Sequence, residues 1–116
     1  LRYAVYSGDD ALILGYLAHG AVGLVSVVGH AAANPLSQLI DLFATGDTRG
    51  ALDMYISLVP AFDAVMGVTH YGATTAKAAL QLLGVLDNRN VRGPLVPLDD
   101  REVEALRVGL AASGLL

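Results

Sequence analysis

The sequence has 116 residues and a mass of 12.0 kDa, which is enough for one small domain with one core. Hydrophobic residues make up 54% of it and charged residues 16%, so the composition excludes a disordered chain and indicates apolar faces that something else covers. The absence of cysteine and a formal net charge of −4, with seven scattered basic residues, exclude a disulfide scaffold and make nucleic acid a poor partner.

The first 28 residues predict a strand, a helix and a second strand. Residues 3–6 form a short run of Tyr, Ala and Val, and the Ser-Gly-Asp-Asp sequence at residues 7–10 predicts a tight turn followed by a helix N-terminus. Apolar residues at helical spacing then continue to Gly20, and residues 23–28 are a branched apolar run next to a glycine at either end. This order predicts a βαβ unit, in which the two strands are parallel.

Helices are predicted for most of the remaining chain. Asn34 followed by Pro35 is typical of a helix N-cap and first helical position, and Gly46 predicts the end of that helix. The next helix is predicted to begin at Asp47 or Thr48, with a regular apolar stripe along one face.

Three further features are predicted in the second half. Pro60 predicts a bend, because its nitrogen has no hydrogen to donate within the helix. Thr74 or Thr75 predicts the cap of another helix, and residues 85–98 predict an irregular connector rich in Asn, Gly and Pro. The last helix is predicted to open with the capping-box spacing at residues 99–102.

The predicted sheet is too small to be stable by itself. Parallel strands are normally covered on both faces and have neighbouring strands, and two short strands meet neither requirement. We therefore expect the first βαβ unit to be the closing segment of a larger α/β domain, followed by a helical extension. No apolar run reaches the roughly 18 residues that a membrane span needs, so a membrane partner is not expected.

The turn after the first predicted strand is the strongest candidate for a ligand site. Ligands in α/β folds bind where strands end and helices begin, because main-chain groups there are free to face a small anion. The simpler alternative is that Asp9 and Asp10 only cap the helix and that Gly8 only permits the turn. The junction from Val28 to His30, after the second strand, is expected on the same rim.

Other reactive residue types give weaker signals. Lys77 is the single lysine of the sequence, and a lysine can form a Schiff base with a carbonyl, but its predicted position in the first turn of a helix favours a solvated or ion-paired role. His19, His30 and His70 lack the spacing of metal ligands, so no metal site is expected. No phosphate-binding glycine loop is present.

Four segments carry a resemblance to a known family. They are Tyr-Ser-Gly-Asp-Asp at residues 6–10, Gly-Leu-Val-Ser-Val at 23–27, Lys-Ala-Ala-Leu at 77–80, and Ala-Leu-x-x-x-Leu-Ala-x-x-Gly-Leu-Leu at the C-terminus. With them the sequence resembles the dihydrodipicolinate synthase family over essentially its whole length. The resemblance implies an α/β fold, here the C-terminal part of a (β/α)8 TIM barrel. Residues 1–46 would supply the last two strands and their helices, and 47–116 a C-terminal helical domain.

The resemblance also implies a function. Members of the family are cytoplasmic lyases, without a cofactor, in which pyruvate forms a Schiff base with a barrel lysine and then attacks aspartate semialdehyde, in lysine and diaminopimelate biosynthesis. That lysine lies outside this sequence, so the chain alone is expected to be inactive, with no catalytic residue. Gly8 and Val25 are the substrate-binding residues that the resemblance transfers, through their main chain beside pyruvate. The complete enzyme is expected to be a homo-oligomer, either a tetramer or a dimer.

Two other functions stay open. One is a different pyruvate aldolase of the same superfamily, acting on N-acetylneuraminate or a keto-deoxy sugar, although the Ser-Gly-Asp-Asp turn favours the first assignment. The other is a non-catalytic module that binds a partner through its exposed strands and helices. Residues 66–75 depart from the family, whose members often carry Asn-Pro-Ile-Pro there, which leaves the placement of Lys77 relative to the family open.

Overall fold

The computed structural model describes residues 3–116. It contains two short strands and five helices in this order: β1 (Tyr6–Ser7), α1 (Ile13–Ala18), β2 (Gly23–Leu24), α2 (Gly29–Ala44), α3 (Thr48–Met66), α4 (Ala73–Leu82) and α5 (Asp100–Ala112). The strands pair in parallel, which confirms the predicted βαβ unit within a mostly helical chain. Among the described residues, no helix is both long enough and apolar enough to cross a membrane.

The strands are shorter than the predicted spans, residues 3–6 and 23–28, and β1 includes Ser7, which the sequence predicted as the start of the turn. Tyr6 lies opposite Gly23 and Ser7 opposite Leu24. One further bond extends the pairing at the C-terminal end, where the Val25 N–H donates to the Ser7 carbonyl at 2.8 Å. The length of a strand depends on how many of its residues pair with the neighbouring strand. A sequence pattern does not show where that pairing ends.

The helices cover one face of the sheet and leave the other open. On the covered face, Leu24 packs against the helical core and Ser7 is fully buried. On the other face, the side chains of Tyr6 and Val25 are 55% and 72% exposed. The Tyr6 ring lies over Gly23, where an added Cβ would be 2.8 Å from Tyr6 Cε1. This open face agrees with the expectation that a larger domain covers the sheet.

The start of α2 differs from the prediction. Asn34 is not the N-cap, because α2 already begins at Gly29. The helix is interrupted at Ala32, which has φ −126° and ψ 32°. Pro35 therefore lies in the first turn after the interruption, where its missing N–H costs little. The predicted end is correct, since Gly46 has a φ of +90° that suits glycine.

Helix α3 begins where the sequence predicts and passes through its proline. Asp47 is the N-cap, and its Oδ1 accepts a hydrogen bond from the Gly50 N–H at 2.9 Å. The helix continues past Pro60 to its end. Close to the proline, the Ala61 N–H donates to Oγ of Ser113, the C-cap of α5, at 3.0 Å. The residue after Pro60 is thus bound through its main chain by the side chain that follows α5.

The cap of α4 is Gly72, so the prediction of Thr74 or Thr75 is wrong. The Thr75 hydroxyl accepts a hydrogen bond from the Gly72 N–H at 3.1 Å. The Thr74 hydroxyl donates to the carbonyl of His70. Both threonines are fully buried, and they fix the turn before the helix rather than its first residue.

The connector and the last helix agree with the prediction. Residues 85–98 contain no helix or strand, and Arg89 holds this segment by donating to the Leu98 carbonyl at 2.9 Å and to Asp100 Oδ1 at 2.8 Å. The capping box of α5 is formed, with the Glu102 N–H donating to Asp99 Oδ1 at 2.8 Å and the Asp99 N–H donating to Glu102 Oε2 at 2.9 Å.

The helices pack around α3. The larger core cluster joins residues from both sides of Gly46, including Val28, Ala32 and Leu36 from the first part and Phe62 and Leu106 from the second. A smaller cluster, formed by Ile13, Leu17 and Leu39, fixes α1 against α2. The sheet therefore rests on the same core as the C-terminal helices.

Candidate functional site

The turn after β1 is held by local hydrogen bonds. The Ser7 hydroxyl donates to the carbonyl of Asp9 at 2.8 Å and accepts from the N–H of Asp9 at 3.1 Å. Gly8, between them, is exposed. A Cβ added to Gly8 would meet no atom within 4 Å, and its φ lies outside the positive range. Nothing among the described residues therefore requires glycine at this position.

The two aspartates of the turn have different partners. Asp9 Oδ1 accepts a hydrogen bond from the Leu12 N–H at 3.2 Å, which is a local contact just before α1. Asp10 is only 2% exposed, and its carboxylate accepts hydrogen bonds from the Ser26 hydroxyl and, at 3.4 Å, from the Val28 N–H. The alternative in which both aspartates cap α1 is therefore wrong for the Asp10 side chain.

The end of β2 completes this rim. The Ser26 hydroxyl, which donates to Asp10, accepts a hydrogen bond from the Gly29 N–H at 2.6 Å. Because Ser7 pairs with Leu24, the next residues, Gly8 and Val25, leave the sheet side by side at its C-terminal end. The structure thus brings together the two main-chain segments that the sequence analysis singled out, within one rim formed by residues 7–10 and 25–29.

The C-terminal helices reach the same rim. The Tyr55 hydroxyl of α3 donates to the carbonyl of Ala11 at 2.7 Å. A pocket lies between the turn and the end of α3, and it is lined by Asp9, Ala11, Phe62, Asp63, Met66 and Gly67. Helix α3 therefore contacts the residue that directly follows the turn.

The remaining candidates lie away from the rim's hydrogen bonds. Lys77 Nζ donates to the carbonyl of Asn90 at 2.8 Å, so this lysine fastens the connector to α4. The His19 ring contacts the Gly15 carbonyl of its own helix at 2.7 Å. No group of three or more His, Asp or Glu side chains among residues 3–116 is arranged to hold a metal ion.

Residues 1–113 match the dihydrodipicolinate synthetase family. The chain belongs to this family. Among its relatives is the 4-hydroxy-tetrahydrodipicolinate synthase of Bifidobacterium animalis subsp. lactis, which is 43% identical over 111 residues, covering 96% of this chain and 36% of the relative. The chain thus spans little more than a third of the length of that relative. The family consists of lyases.

Solved structures of family members share the fold. The dihydrodipicolinate synthase of Thermotoga maritima superposes with a TM-score of 0.90 at 32% identity, over 98% of this chain and 38% of that one. The enzyme of Acinetobacter baumannii, solved as a chloride-inhibited complex with pyruvate, gives a TM-score of 0.88 at 27% identity, over 99% and 38%. The expected family and its α/β fold are confirmed.

Proposed function

We propose that residues 1–116 form the C-terminal part of a (β/α)8 barrel lyase that condenses pyruvate with aspartate semialdehyde. The observation that carries this proposal is a two-stranded parallel sheet with one open face and two unpaired edges, in a chain that superposes on dihydrodipicolinate synthases. The rest of the barrel would cover Tyr6 and Val25. The sheet would then gain the neighbouring strands that parallel sheets require.

The proposed division of the chain follows from this placement. Residues 1–46 supply the last two strands of the barrel with their helices, and residues 47–116 supply a C-terminal helical domain. The shared core supports a fixed docking of the second part on the first, because Val28 and Leu36 lie in one cluster with Phe62 and Leu106. The two parts are expected to fold as one unit.

The chemistry of the proposed reaction assigns this segment a binding role. A lysine outside residues 1–116 attacks the pyruvate ketone, and loss of water gives the Schiff base whose enamine attacks the aldehyde. Gly8 and Val25 lie beside pyruvate and contact it through their main chains. The absence of a side chain on Gly8 leaves room for this contact, since a Cβ there points into open space. Lys77 takes no part, because it is engaged by the Asn90 carbonyl.

A hybrid enzyme tests the proposal. In the Bifidobacterium animalis relative, the matching segment is replaced by residues 1–116. The product is a complete barrel, here called the hybrid enzyme. We expect the hybrid enzyme to consume pyruvate and aspartate semialdehyde together, as the unaltered relative does. A folded hybrid enzyme that binds pyruvate covalently but cleaves N-acetylneuraminate or a keto-deoxy sugar instead would place the segment in the aldolase branch. A folded hybrid enzyme that does not bind pyruvate would favour a non-catalytic interaction module.

A further inference from the structure

A buried carboxylate connects the two strand ends of the rim. Asp10 follows β1, whereas its two donors, the Ser26 hydroxyl and the Val28 N–H, follow β2. The contact joins residues 16 and 18 positions apart in the sequence. It is continued by the Gly29 N–H, which donates to Ser26 Oγ at 2.6 Å. The start of α2 is therefore part of the same hydrogen-bonded unit.

This connection lies just beyond the last bond of the sheet. The ladder ends where the Val25 N–H donates to the Ser7 carbonyl at 2.8 Å. After that bond, the Asp10 carboxylate is the next link between the segments that follow β1 and β2. Gly8 and the carbonyl group of Val25 are on the main chain between the ladder and this link. Their separation is thus fixed from both sides.

Helix capping does not account for Asp10. The N-cap of α1 is Leu12, and no side chain caps that helix. The free amide of Leu12 is bound by Asp9 instead. A buried carboxylate is costly unless donors satisfy it, and the donors of the Asp10 side chain lie on the opposite strand end.

We propose that Asp10 is a positioning residue, whose carboxylate holds the Gly8 and Val25 main chains at the separation that pyruvate requires. The inference rests on the proposed function. A carboxylate suits the position because both of its oxygens accept, and it faces one O–H and one N–H donor. An asparagine would turn an NH2 group toward one of these donors. At a helix cap, by contrast, asparagine performs about as well as aspartate.

The test compares Asp10→Asn with Asp9→Asn in the hybrid enzyme. We expect Asp10→Asn to raise the pyruvate KM by about tenfold or more, since displacements of about 1 Å at a reacting site have effects of up to 100-fold. Asp9→Asn, in the same turn, should leave the pyruvate KM unchanged, because the Asp9 side chain makes only a local bond to the Leu12 N–H and an asparagine Oδ1 can accept the same bond. Thermal melting of each variant is recorded in parallel.

A second variant probes the donor side of the link. Ser26→Ala removes the hydroxyl that Asp10 accepts from, so it should raise the pyruvate KM as well. The double variant should show less than the product of the two effects, because both changes break one connection.

Two outcomes would overturn the inference. In one, Asp10→Asn lowers the melting temperature but leaves the pyruvate KM as in the parent, which would make Asp10 a residue of stability alone. In the other, Asp9→Asn and Asp10→Asn raise the KM equally. An inactive but folded parent hybrid enzyme, with Asp10 intact, would instead contradict the proposed function and with it the inference.

Discussion

At the scale of single residues, the identities of Gly8 and Val25 have no explanation within the described chain. Gly8 has neither a left-handed φ nor a neighbour that a Cβ would meet within 4 Å. The Val25 side chain is 72% exposed and only its main chain bonds to β1. If these residues are constrained, the constraint comes from atoms that bind at the rim or cover it.

We therefore predict that Gly8→Val impairs pyruvate binding and leaves the stability nearly unchanged. In the hybrid enzyme this change should raise the pyruvate KM strongly or abolish turnover, because in the proposed site the new side chain would occupy space beside the substrate. The melting temperature should change little, since the added atoms meet no neighbour in this segment. Steady-state kinetics with varied pyruvate and a thermal melt provide both readings.

Val25→Ile is the matched control for that experiment. It keeps a branched side chain and the same main-chain contact to Ser7, so the pyruvate KM should remain close to that of the parent. If Gly8→Val also leaves the KM at the parent value, the turn after β1 does not contact the substrate.

The roles of Asp9 and Asp10 show what a sequence pattern lacks at this scale. Both residues have the type and spacing of helix caps, and the local prediction treated them alike. The partner that separates them, Ser26, is 16 residues away. Ser26 comes close to Asp10 because β1 pairs with β2, and no local sequence pattern encodes that pairing.

At the scale of secondary structure elements, features determined by neighbours in sequence were predictable. The capping box between Asp99 and Glu102 was predicted correctly because its two bonds span three residues. The ends of the strands were not, since they depend on pairing across the βαβ unit. The cap of α4 was missed because a glycine at position 72, with the Thr75 hydroxyl bound to its N–H, replaces the usual threonine cap.

The contact between α3 and α5 yields a prediction at this scale. A Cβ on Gly109 would collide with the Ala64 side chain and lie 2.7 Å from the Pro60 carbonyl oxygen. Gly109→Ala should therefore force the two helices apart and lower the free energy of unfolding by about 1–3 kcal/mol. Urea denaturation of the hybrid enzyme measures this change.

Val108→Ala serves as the control on the same helix. Its side chain is 53% exposed, so the free energy of unfolding should change by no more than about 0.5 kcal/mol. Equal stability of the Gly109→Ala variant and the parent would mean that α3 and α5 are not in close contact in the enzyme.

At the scale of the whole molecule, the chain has more apolar surface than its helices cover. Several large apolar side chains of the βαβ unit are exposed, namely Tyr3, Val5, Tyr6, Val22 and Val25. Open strand edges add unpaired main-chain groups, and the two features together favour association. The uncovered sheet was predicted from the sequence, because two short parallel strands are too few to form a stable sheet.

The isolated chain of 116 residues should consequently self-associate or melt without cooperativity. Sedimentation velocity at micromolar concentration and calorimetry measure the two properties. We expect the hybrid enzyme to cover the same surfaces and to show one cooperative melting transition. A monomeric isolated chain that melts cooperatively would show that the open sheet needs no further strands.

Borohydride trapping with pyruvate tests the central claim most directly, namely that this segment completes a Schiff-base lyase whose lysine lies elsewhere. Borohydride reduces the imine between a lysine and pyruvate to a stable secondary amine, and mass spectrometry of peptides then locates the modified lysine. We predict one adduct in the hybrid enzyme, on a lysine outside residues 1–116, and none in the isolated chain. An adduct on Lys77, or a folded hybrid enzyme without any adduct, would contradict the account.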